Sequence, residues 1–306
     1  MCAVLLLKCL LWLNIENFYY FCSLLKIKFS LTNKVKMSTK KRILFIASEM
    51  YPYVDNTSFG ETINKLAVLS NDNNMEVRCI MPKYGTINER RHRLHEVVRL
   101  SGINVSIGND DFPLTIKVAS LPNARLQVYF LDNDDFFKRK ATFTDEEGKF
   151  FADNDVRSVL FCKGALETVK KFGWPPDIIH VSGWMASLVP MFIKVAYKKE
   201  PVFSHCKVVY TIGDNTFKEK LGANFLKLAA INDFVTAKEL EAFKDTNNVS
   251  MFRGGATYAD AITFGSEETD KKLNVEFAKV KGKKILKYNE EEDLTEYLQL
   301  YADLAK

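Results

Sequence analysis

Apolar positions along the chain alternate between two rhythms. Short unbroken apolar runs, of which "RILFIAS" at 42–48 is the first, are consistent with strands buried on both faces of a parallel sheet. After a turn through Pro52, "GETINKLAVLS" places Ile63, Leu66, Ala67 and Ser70 on one helical face, and "EVRCIMP" returns as a second strand, which makes a βαβ unit. Over residues 94–131 the rhythm changes to alternation, and "LTIKVASL" and "RLQVYFL", separated by "PNA", read as an inserted antiparallel hairpin. The first rhythm then resumes with a helix that Asp153 can cap. Its apolar face is Val156, Val159, Leu160, Leu166, Val169 and Phe172, and Gly173 and Pro175 stop it. Strand "DIIHV", a helix over 184–197, strand "KVVYTI" and helices near 225–230 and 238–243 follow. A short helix and a strand within "VSMFRGGATYADAITFGS" and a closing helix in "EEDLTEYLQLYADL" complete the order, with Gly254 and Gly255 read as a turn. The pattern predicts an α/β fold built on a doubly wound, mostly parallel sheet.

Composition narrows this picture. With 306 residues, 47% of them hydrophobic, the chain can bury one large α/β core, and without a linker rich in Pro, Gly or Ser, residues 37–306 are expected to form one domain. The formal net charge of +5 is concentrated at the amino end, where Lys8, Lys26, Lys28, Lys34 and Lys36 stand against Glu16 alone. The rest is close to neutral and gives no electrostatic case for nucleic acid. Residues 1–36 fit neither a signal peptide nor a membrane span, because Lys8, Asn14, Glu16 and Asn17 interrupt every apolar window. They are expected to be a mis-started or unstructured extension, with translation beginning at Met37. Cys79, Cys162 and Cys206 sit apart in apolar runs, as reduced thiols of a cytoplasmic protein do. No metal site, cofactor motif or membrane partner is expected.

Six phrases in order carry a resemblance over residues 41 to about 273. "ILFIASEMYPYV", "VRCIMPKYGTI", "VYFLDNDDFFKR" with "FFADNDVR", "DIIHVSGWMASLVP", "VVYTIGDNTF" and "YADAITFGSEE" together resemble the amino-terminal half of bacterial glycogen and plant starch synthases, glycosyltransferase family 5. "YGTINERRHRLHEVVRLSGINV" is further similar to a shortened Bacteroidetes form of that family. The resemblance implies one Rossmann-like half of a GT-B fold, the family's other half having no room in the roughly 40 residues that follow "FGSEE". It also implies an ancestry of glucose transfer from ADP-glucose to an α-1,4-glucan.

The family's site residues are largely replaced here. Its first loop, K-x-G-G-L-x-D, aligns with "DNTSFGE", so Asp55 stands at the phosphate-pairing lysine, Thr57 and Ser58 at the glycines, and Glu61 at the aspartate. Reversing one charge about 4 Å from a phosphate swings that pairing by roughly 8 kcal/mol at an effective dielectric near 20, before screening. In H-x-H-D-W, His180 and Trp184 are kept while Ser182 and Gly183 replace the second histidine and the aspartate; in Y-T-I-H-N, Gly213 and Asp214 replace the last two residues.

No catalytic residue is therefore expected, and Glu61, His180, Trp184 and Asp214 are the candidate substrate-binding residues. His180 and Trp184 also have plain structural readings at a strand end and a packed turn, and Glu61 has one as a helix-dipole partner. "NERRHRLH" reads as a solvated basic turn or an anion site. The expected function is a degenerate glucan-binding or interaction module of glycogen metabolism, with an α-1,4-glucan or a separate protein at the exposed cleft face as partner. The alternative is an ADP-glucose:α-1,4-glucan glucosyltransferase completed by a separate carboxyl-terminal half.

Overall fold

A computed structural model of the chain describes residues 40–54, 57–122, 124–213, 217–267, 282–288 and 294–305. Residues 1–36, Asp55 and Asp214 thus lie outside the described residues. The described segments fall in one compact unit, Lys40–Lys306.

Among the described residues, ten strands and eight helices follow in chain order: β1 (Arg42–Ala47), α1 (Ser58–Asp72), β2 (Glu76–Pro82), α2 (Glu89–His92), β3 (His95–Glu96), β4 (Ile103–Ile107), β5 (Asp110–Ser120), β6 (Gln127–Asp132) and α3 (Asp134–Phe137). After these come α4 (Asn154–Phe172), β7 (Ile178–Ser182), α5 (Leu188–Lys194), β8 (Lys207–Ile212), α6 (Phe225–Ala229), α7 (Asn248–Tyr258), β9 (Ala261–Phe264), β10 (Lys284–Leu286) and α8 (Thr295–Leu304). The strand order is β10-β9-β8-β7-β1-β2-β6-β5-β3, with β4 against β5. Pairing is parallel from β10 to β6 and antiparallel beyond. The expected doubly wound sheet is therefore present, and the hairpin joins it because β6 pairs in parallel with β2.

The unbroken apolar runs are buried as their composition requires. Ile43, Leu44, Phe45 and Ile46 of β1, and Ile178, Ile179 and Val181 of β7, have no exposed surface. Each such side chain contributes about 1.5–3 kcal/mol by leaving water. α1 buries Ile63, Leu66, Ala67 and Ser70, the four positions its spacing marked. α4 ends where Gly173 turns left-handed at φ 60°, a conformation that favours glycine. Its entry is built differently from the expected cap: the Asp153 side chain makes no cap bond and instead grips Arg139 bidentately at 2.7 and 2.6 Å.

Three readings are corrected. Gly254 and Gly255 lie inside α7, not in a turn. A Cβ on Gly254 would stand 2.1 Å from the Phe243 ring and one on Gly255 2.6 Å from the Tyr210 ring, so both are glycine because aromatic faces press on the helix backbone. The helix expected over 184–197 splits into a 3₁₀ turn, Trp184–Ala186, and the shorter α5. The helix expected over 238–243 shrinks to the 3₁₀ turn Glu241–Phe243.

Candidate functional site

Strand order reverses between β1 and β7: β2 and β6 are added on one side, β8, β9 and β10 on the other. At such a reversal the flanking connections leave in opposite directions and open a crevice at the carboxyl ends of the strands. Register sets Ala47 beside Ser182, Ser182 beside Thr211 and Thr211 beside Thr263, so the segments following β1, β7, β8 and β9 share one rim.

Glycines close much of that rim. The Gly265 amide donates to the Ile212 carbonyl at 2.9 Å, and a Cβ there would lie 3.3 Å from the Gly213 Cα and 3.7 Å from the Phe59 ring. Gly183, at φ 83°, donates its amide to the Thr211 carbonyl at 3.1 Å, while its own carbonyl accepts from the Tyr210 hydroxyl at 3.0 Å. Beside this turn Ser182 is fully buried, and its hydroxyl has no hydrogen-bond partner among the described residues. A buried hydroxyl left so costs about 1–3 kcal/mol, which makes it the polar atom at the strand reversal most in want of a partner.

His180 lies beneath the crevice with no exposed surface. Its Nδ1 is 2.6 Å from the Tyr301 hydroxyl and its Nε2 is 2.6 Å from the Thr211 hydroxyl, which in turn is 2.5 Å from that of Thr263. Tyr297 stacks along the imidazole with ring centroids 5.9 Å apart. Desolvation pushes the His180 pKa down to about 3, so the ring stays neutral at physiological pH. The network pins α8 to β7, β8 and β9. Sequence reasoning did not foresee these partners, although Tyr297 and Tyr301 stand four residues apart on one face of the closing helix.

Trp184 is 1% exposed. Phe143, Phe150 and Phe217 enclose it at centroid distances of 5.0, 5.7 and 4.8 Å. Phe59, which also stands at the rim, is 2% exposed.

Glu61 is exposed in the first turn of α1 and lines a cavity of about 170 Å³. Its wall also includes Lys65 from the same helix, Ser266 after β9, Lys287 and Tyr288 after β10, and Glu296 and Tyr297 on α8. Tyr297 thereby touches both the cavity and the His180 stack, which brings Glu61 and His180 to one region and leaves Trp184 in a separate aromatic cluster.

The start of α1 is capped from within. Thr57 is its N-cap and accepts from the Gly60 amide at 3.0 Å, and Glu61 adds a negative charge in the first turn. An amide that could hold an oxyanion at this terminus is spent on the cap. Among the described residues no group of His, Cys, Asp and Glu could hold a metal ion, and no helix is long and apolar enough to cross a membrane.

Residues 42–287 match the family model for the starch synthase catalytic domain. A glycogen synthase of Chlorobium limicola is 34% identical over 224 residues, covering 72% of this chain and 45% of that protein. One from Pelodictyon phaeoclathratiforme is 34% identical over 228 residues, covering 74% and 46%. The catalytic domain of Starch Synthase IV from Arabidopsis thaliana, bound to ADP and acarbose, aligns at TM-score 0.65 and 18% identity, over 81% of this chain and 51% of that one. The chain thus spans slightly less than half the length of the curated relatives it matches. Matched from strand β1 through strand β10 by the family model and at 34% identity by its curated members, the chain belongs to the starch synthase catalytic domain family.

Proposed function

We propose that this chain is a glucan-binding module of glycogen metabolism, built on the amino-terminal half of a GT-B synthase and lacking self-sufficient transferase activity. The observation that carries this reading is the start of α1: Thr57 caps the helix through its own hydroxyl, and Glu61 follows in the first turn. Asp55, two residues earlier, stands where the family's phosphate-pairing lysine is expected. A diphosphate would meet the Glu61 carboxylate and a helix start whose Gly60 amide is already taken, whereas an uncharged glucan forfeits nothing to them. The relative of known structure was bound to ADP and acarbose; of these, only ADP brings a diphosphate.

Glu61 offers its carboxylate to sugar hydroxyls across the cavity it lines, and Tyr297, stacked on the buried His180, forms another part of the wall. We place the protein in the cytoplasm, where the free, buried Cys79, Cys162 and Cys206 remain reduced.

The test is transfer of radiolabelled glucose from ADP-glucose to glycogen by the full chain. Incorporation equal to that of a heat-denatured control is expected. Incorporation above it that Glu61→Gln reduces would favour the glucosyltransferase reading instead.

A further inference from the structure

At the opposite, amino-terminal end of the sheet, three strands align polar side chains that the glucan reading leaves unused. Register sets Arg78 on β2 beside Gln127 on β6, and Gln127 beside Ser120 on β5. Together with Arg125 from the turn before β6, these residues line a groove of about 370 Å³ whose remaining wall includes Glu76.

The guanidinium of Arg78 is held in place by rings, its carbon lying 4.5 Å from the centroid of Trp174, 5.1 Å from Phe172 and 6.0 Å from Tyr129. Its Nη1 is buried without a hydrogen-bond partner among the described residues. Glu76 acts on Arg78 through its charge, while its carboxylate oxygens accept from Arg42 Nε at 3.2 Å and from Trp174 Nε1 at 2.7 Å. Arg42 and Arg99 add positive charge within electrostatic reach of Arg78. Gln127 is oriented as well: its Oε1 accepts from the Tyr129 hydroxyl at 2.6 Å, which leaves the amide nitrogen to donate. Arg78 and Arg125 thus line a groove whose Glu76 carboxylate already accepts from Arg42 and Trp174, and a fixed cation, an oriented amide donor and a serine hydroxyl stand in a row.

We propose that this groove binds a phosphate-type dianion, held by Arg78 and Arg125 with Gln127 and Ser120 donating to its oxygens. Planar guanidinium groups match tetrahedral oxyanions bidentately, and prior fixation by the aromatic walls lowers the entropy lost on binding. The site is independent of the crevice at the strand carboxyl ends and of the function read there.

The test is calorimetry on the full chain with inorganic phosphate and, separately, with glycerol 3-phosphate, each against chloride at matched ionic strength, together with thermal melts under the same conditions. Saturable binding that raises the melting temperature beyond chloride is expected. Arg125→Glu, at an exposed turn, should melt as the wild type does without phosphate and weaken binding at least tenfold. Arg78→Gln should do the same, and if it fails to fold, Arg125→Glu and Gln127→Glu carry the test. Tighter binding of glycerol 3-phosphate would identify a phosphorylated metabolite as the occupant; tighter binding of inorganic phosphate would identify the free ion. A response no greater than chloride's, or one indifferent to Arg125→Glu, would overturn the proposal.

Discussion

Trp184→Ala is expected to lower the unfolding free energy by about 3–5 kcal/mol, the usual cost of deleting a large buried aromatic. The indole is 1% exposed, and three phenylalanine rings meet it within 5.7 Å. Two of those rings, Phe150 and Phe217, also stack on each other at 5.0 Å, so the hole left by the indole could be filled only by breaking that stack. Trp184→Phe should recover more than half of the loss by keeping an aromatic core. Chemical denaturation of the three proteins checks this. A Trp184→Ala chain as stable as the wild type that no longer binds glucan would show instead that the ring is a ligand platform.

His180→Ala is expected to cost about 3 kcal/mol or more at neutral pH. It strips the imidazole from the buried Tyr301 hydroxyl, at about 1–3 kcal/mol if left unsatisfied, removes one of the two partners of the Thr211 hydroxyl, which keeps Thr263, and opens space beneath Tyr297. The wild type should also carry a pH signature. The folded chain holds the ring neutral down to about pH 3, whereas an unfolded histidine takes its proton near pH 6.5. Between those values the unfolded state binds the extra proton, so the contribution is fully present above about pH 6.5. It is lost as pH falls below that, at up to ~1.4 kcal/mol per pH unit. Urea unfolding at pH 7.5 and 5.5 should show this slope in the wild type and a reduced one in His180→Ala. Equal slopes would mean that His180 is protonated within the fold.

The fold was legible because its strands are unbroken apolar runs: a segment such as "DIIHV" can satisfy its side chains only inside a sheet covered on both faces. Ile63, Leu66, Ala67 and Ser70 announced the buried face of α1 for the same reason. Local pattern failed where tertiary contact decides. Gly254 and Gly255 look like a turn by composition, and only the Phe243 and Tyr210 rings pressing on α7 explain them as helical. Likewise the partners of His180 lie 121 and 31 residues away in the chain, so nothing local marks them. Glu61 was found from its place in a motif, while its neighbours Lys287 and Tyr288 come from a part of the chain that none of the six phrases covers. The sequence marks Ser182 as a replacement, but that its hydroxyl is buried without a partner among the described residues follows only from packing.

Charge and capping at the start of α1 turn the site away from nucleotide sugars. Calorimetry of the full chain and of Asp55→Lys, each titrated with ADP-glucose and with maltoheptaose, tests it most directly. Weak maltoheptaose binding is expected in both proteins, with ADP-glucose binding by the wild type no tighter than about millimolar and a gain of tenfold or more in Asp55→Lys from the restored phosphate-pairing charge. Tight ADP-glucose binding by the wild type with no response to maltoheptaose would contradict it.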